Sequence, residues 1–114
     1  MITDNHQKLS NIVDRLLIKT QDNIYTWRKT IDEKYVLHFP IGTIQIYHEI
    51  VLGGTHKIKL EITRDNITLI EISSDKNDTS SNLVRLFNAV ENYYENYLNE
   101  FLDDILNTYI HKIQ

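Results

Sequence analysis

The spacing of apolar residues divides the chain into three stretches. In the first, Leu9, Ile12, Val13, Leu16 and Leu17 recur at intervals of three and four, which gathers them into one stripe of an α-helix. Asn5, Lys8, Asp14, Arg15 and Lys19 fall on its other faces. Thr3 or Asp4 can cap its start, because a short side-chain oxygen accepts from a backbone N–H that has no partner within the helix. The helix should fade at Gln21-Asp22-Asn23, where short polar side chains compete for backbone hydrogen bonds.

From Ile24 to Ser73 the period falls from 3.6 to 2, the signature of strands. Tyr25, Trp27, Lys29 and Ile31 alternate with Ile24, Thr26 and Arg28. Asp32-Glu33-Lys34 turns the chain, and Tyr35, Leu37 and Phe39 form one side of a second strand, which ends at Pro40-Ile41-Gly42. A third strand carries Ile44, Ile46, His48 and Ile50 on one face, with Gln45, Tyr47, Glu49 and Val51 on the other. Gly53-Gly54 supplies a tight turn. The fourth strand, Lys57 to Thr63, alternates without error, and Arg64-Asp65-Asn66 leads to a fifth from Ile67 to Ser73. Such short connections cannot cross over a sheet, so an antiparallel meander is the predicted arrangement.

Ser74 to Ser81 is polar throughout and reads as a surface loop and the plausible hinge, with Thr79, Ser80 or Ser81 capping the last helix. From Leu83 to Ile113 apolar residues keep helical spacing, uninterrupted by glycine or proline. A helix of that length spans about 46 Å, whereas a compact domain of this size is roughly 35 Å across. The helix must therefore overhang the body or break, and Asn99-Glu100 and Asp103-Asp104 are the candidate break points. The predicted fold is α+β and a single domain over residues 1–114. It comprises an N-terminal helix, a five-stranded antiparallel β-meander, and a long C-terminal helix, overhanging or else bent or broken, packed on one sheet face.

Composition agrees with one core: 114 residues, 41% of them hydrophobic and 25% charged. The absence of cysteine excludes disulfides and thiolate metal sites. No basic segment followed by an apolar run opens the chain, and no run of apolar residues is long enough to span a membrane, so a cytoplasmic location is expected. On the same reasoning, the sequons at Asn66 and Asn77 are chance matches. Seventeen isoleucines and eleven asparagines stand against a single alanine, a bias expected of AT-rich coding, which suggests a bacterial or phage source.

Motifs for catalysis are scarce. There is no phosphate-binding glycine loop, no serine elbow and no thiol nucleophile. His6, His38, His48, His56 and His111 show no spacing of a helical zinc site. His38 and His48 lie on neighbouring predicted strands beside Glu49, which leaves a small metal- or histidine-dependent enzyme as a third reading, although Glu49 should point away from His48. No cofactor and no metal are expected.

The net charge of −4 is unevenly placed: after Ser80, Glu91, Glu95, Glu100, Asp103 and Asp104 stand against only Arg85 and Lys112. The order helix, strands, helix resembles double-stranded-RNA-binding domains and the small signal-recognition-particle subunits in topology only. Asn82, Glu91 and Glu95 occupy the start of the last helix, where such domains need bases to hold phosphates. Nucleic acid and membrane are thus not expected as partners. Tyrosine joins apolar area to a hydroxyl that tolerates water. The leading expectation is therefore a small non-catalytic inhibitor, immunity or adaptor protein that binds a basic protein partner. Its candidate surface comprises Glu91, Tyr93, Glu95, Tyr97, Glu100, Asp103 and Asp104. The alternative is a homodimer or larger homo-oligomer assembled through the C-terminal helix, serving as a scaffold or holding a small ligand.

Overall fold

The computed structural model describes residues 2–110, with side chains from His6 onward. Helix α1 (Ile2–Gln21) is followed by strands β1 (Arg28–Lys29), β2 (Tyr35–Phe39), β3 (Gly42–Ile50), β4 (His56–Arg64) and β5 (Ile67–Asp75), then by helix α2 (Asn82–Ile105). The strands form one antiparallel sheet in sequential order β1-β2-β3-β4-β5, the predicted meander. Thr3 and Asp4 already carry helical backbone, so α1 starts ahead of both expected caps, whose side chains lie outside the described residues. The end of α1 falls where expected: Ile24 N–H donates to Lys19 O at 2.9 Å, and Asn23 adopts φ 58°. That left-handed residue closes the helix in the manner usual for a C-terminal cap.

The first strand is the main correction. The period-two pattern from Ile24 to Ile31 extends to a strand of only two residues. The cause is Trp27, which is 2% exposed and whose indole N–H donates to Thr20 Oγ1 at 3.0 Å. Drawing that ring under the end of α1 holds the preceding backbone off the sheet, so residues 24–27 run as a loop.

Register fixes which side of the sheet is buried. Tyr35 and Leu37 pair with Ile46 and Ile44, which pair in turn with Leu60 and Ile62, opposite Ile72 and Ile70. These residues lie on one face, beneath α2 and α1; Ile46, Ile58 and Leu60 are wholly buried against Leu86 and Val90 of α2. Removing such side chains from water is the principal stabilising term, about 2 kcal/mol each. The opposite face is polar and stays open. Gly42 is required at the β2–β3 turn, because a Cβ there would stand 2.5 Å from the Thr63 carbonyl oxygen. Asp65 and Asn66, at φ 54° and 65°, form the two-residue turn into β5, where both central residues need positive φ.

The C-terminal helix overhangs. Ser81 caps it by accepting from Val84 N–H, and it runs without interruption through Asn99-Glu100 and Asp103-Asp104. Only at Leu106–Ile110 does it loosen into a π-helical turn. The last stretch of the expected helix, residues 111–113, lies outside the described residues. Overall extents are 64 × 36 × 27 Å, and the radius of gyration is 16.6 Å, against roughly 13 Å for a compact chain of this length.

Candidate functional site

Along α2 the apolar stripe keeps its direction, but its surroundings change. Leu83, Leu86, Phe87 and Val90 are buried, Tyr94 and Leu98 half-buried, and beyond them the sheet ends. Phe101 (52% exposed), Leu102 (47%), Leu106 (44%) and Tyr109 (66%) therefore face solvent, as does Ile110. At 100° per residue, Phe101 sits about on the azimuth of Leu83 and Phe87. It is a core-type position with no core beneath it. The apolar members of this surface come from the stripe that periodicity assigned to packing. The sequence signal for their exposure was the mismatch between helix length and body diameter.

The seven expected surface residues divide between two flanks. Tyr93, Tyr97, Glu100 and Asp103 line a groove of about 490 Å³ beside Asn23, with Asn96 and Asn99. The Tyr93 and Tyr97 rings stack there at 15°, with centroids 6.5 Å apart. Asp104 is exposed one position further round. Glu91 and Glu95 lie on the other flank, towards Tyr35. Burial, reinforced by those two carboxylates, raises the Tyr35 hydroxyl to about 12. Lys29 shares this flank, its ammonium 5.6 Å from the Tyr35 ring centroid and 5.8 Å from that of Tyr94. Between Glu91 and Ile110 the helix carries five acids and no base. The projecting end is thus an apolar strip edged by carboxylates, at the helix terminus where the macrodipole is also negative.

The histidines sort differently from the sequence expectation. His38 lies on the open face beside Thr43, their side chains 3.4 Å apart, whereas His48 lies on the covered face opposite Ile58, and Glu49 points away from it. The His38–His48–carboxylate cluster is therefore not assembled. His48 instead meets His56, whose place on the same face follows from the β3–β4 register. Nε2 of His48 and Nδ1 of His56 are 2.7 Å apart, and the rings stack at 4.9 Å. Burial, with help from Lys76 and His56, lowers the His48 pKa. Among the described residues, no group of three or more histidine, aspartate or glutamate side chains is placed to hold a metal ion.

Several charges on the open face of the sheet are already paired. Lys59 lies 2.8 Å from both Glu49 and Glu71, and these hydrogen bonds raise its pKa. Tyr47 donates to Glu61 at 2.7 Å, and burial together with that bond holds its proton more tightly. Lys34 stands over the Tyr47 ring at 4.5 Å. A partner docking here would have to displace these internal pairs. Among the described residues no helix is long and apolar enough to cross a membrane.

Comparison of the chain with known protein families, with curated proteins and with solved structures finds no match.

Proposed function

We propose that this chain is a non-catalytic protein-binding domain, of the inhibitor, immunity or adaptor type, whose docking element is the projecting end of α2. One observation carries the reading: a helix that keeps its apolar stripe past the edge of its own sheet, leaving Phe101, Leu102, Leu106 and Tyr109 uncovered. Contiguous exposed apolar area of this kind marks interaction surfaces. The flanking carboxylates favour a basic partner, for which charge supplies steering and the aromatic and leucine side chains supply adhesion.

The test measures a captured partner's binding to two variants, Leu102→Ala/Leu106→Ala and Glu100→Lys/Asp103→Lys/Asp104→Lys. The first should speed dissociation, and the second should slow association and abolish its salt dependence. Reversing Glu91 and Glu95, on the flank shared with Lys29, should matter less. Wild-type rates for every partner with both variants would remove the helix end from the binding surface.

A further inference from the structure

We infer that the projecting end of α2 also docks onto a second copy of this chain, seated in an apolar groove between α1, the β2–β3 turn and the β4–β5 edge of the sheet. This inference takes the docking element from the proposed function and adds a particular occupant. The groove encloses about 540 Å³ and adjoins another of about 400 Å³, the two sharing Ile12. Phe39, Ile41, Ile62, Leu69 and Ile70 form much of the remaining wall. Ile41 is 78% exposed and Leu69 60%. Two features keep the groove open. No residue of α2 lines it, and the register shift at Ile62/Thr63 interrupts the regular pairing of Leu69 along β4.

Charge selects the occupant. Among the described residues, the charged side chains lining the two grooves are Lys8 and Arg64, with no carboxylate in either. The helix end presents the opposite sign, with Glu100, Asp103 and Asp104 around Phe101, Leu102 and Leu106. Laying two helix ends side by side would set three acids against three, so pairing of helix with twin helix is opposed by repulsion that the groove converts to attraction. Because α2 lines no part of its own groove, the contact runs from helix to groove between copies. It is a head-to-tail contact, which forms a ring if the rotation closes and a chain if it does not. A basic partner would compete with this self-association for the same helix end.

Sedimentation from micromolar to millimolar concentration tests this with two exposed substitutions, Phe101→Asp on the helix and Ile41→Asp in the groove. Both residues are more than half exposed, so each variant should keep the wild-type circular dichroism spectrum and melting temperature. Wild type should rise above 13.5 kDa with concentration. Each variant alone should associate at least about tenfold more weakly. A mixture of the two should form a species of twice the chain mass, because one has an intact groove and the other an intact helix end. Association by Ile41→Asp alone at wild-type strength would overturn the inference in favour of helix-to-helix pairing. A wild-type mass of one chain throughout would overturn it as well. Neither result touches binding of a basic partner, which the Leu102→Ala/Leu106→Ala and Glu100→Lys/Asp103→Lys/Asp104→Lys variants measure separately.

Discussion

The buried hydrogen bond between Trp27 and Thr20 offers the sharpest test of how this chain departs from its own strand pattern. Trp27 is 2% exposed and Thr20 1%, and the indole N–H donates to the hydroxyl at 3.0 Å. Thr20→Val keeps the shape and the β-branch, so it opens almost no cavity and changes helix propensity little. What it removes is the acceptor, leaving an indole N–H unpaired in an apolar setting. A group stranded in this way costs about 1–3 kcal/mol. For a domain of this length each kcal/mol lowers the melting temperature by roughly 4 °C, so a fall of roughly 4–12 °C is expected. The control is a double-mutant cycle with Trp27→Phe, in which no donor remains to be stranded. In that background Thr20→Val should be close to neutral, giving a coupling of about 1–3 kcal/mol. Trp27 is the only tryptophan, so urea unfolding should be followed by far-ultraviolet circular dichroism rather than fluorescence. Equal destabilisation by Thr20→Val in both backgrounds would refute the assignment, since only the loss of a pairwise bond depends on the presence of the donor.

Three further outcomes are expected. The folded-state pKa of His48 lies below its ordinary 6.5, so the unfolded chain binds more protons in that window. Stability should be full above pH 6.5 and decline as pH falls through the folded-state value, and His48→Gln should flatten that decline in urea midpoints between pH 8 and 5. A slope unchanged in the variant would place the titration elsewhere. Gly42→Ala drives a Cβ to 2.5 Å from the Thr63 carbonyl oxygen, which should cost about 1–3 kcal/mol. Gly53→Ala meets open space at φ 91° and should cost about 1 kcal/mol through backbone strain alone; thermal melts that reverse this order would contradict the close β3–β4 approach. Finally, Leu86→Ala, at a fully buried position, should cost about 2–5 kcal/mol, whereas Leu102→Ala on the projecting helix should stay within about 1 kcal/mol. Comparable losses at the two sites would mean that the helix end is packed, not projecting.

Much of the architecture was legible because the chain changes period at identifiable places. Alternation of Ile58, Leu60 and Ile62 with charged neighbours assigned the inner face of β4 before any contact was known, and short turns left a meander as the workable connection. The β1 region failed for a physical reason: Tyr25, Trp27 and Lys29 alternate like a strand, but alternation cannot tell whether a large ring turns under a sheet or under a helix end. Of the candidate surface, Glu91, Tyr93, Glu95, Tyr97, Glu100, Asp103 and Asp104 were all legible as residues. Their division between two flanks was not, since it depends on Asn23 and Lys29 arriving from distant parts of the chain.

Sequence alone determined the two helices, the meander order of the strands, the faces of β2, β3 and β4, the acidic character of the last helix and the lack of recognised catalytic motifs, because these depend on local periodicity and composition. Tertiary structure decided where the sheet stops beneath α2, that His48 meets His56 rather than His38, and that an apolar groove edged by Lys8 and Arg64 remains open at the β4–β5 edge. Each of these is a relation between residues far apart in the chain. An apolar side chain carries the same hydrophobicity whether a neighbouring element reaches it or falls short, and only the folded arrangement fixes which occurs.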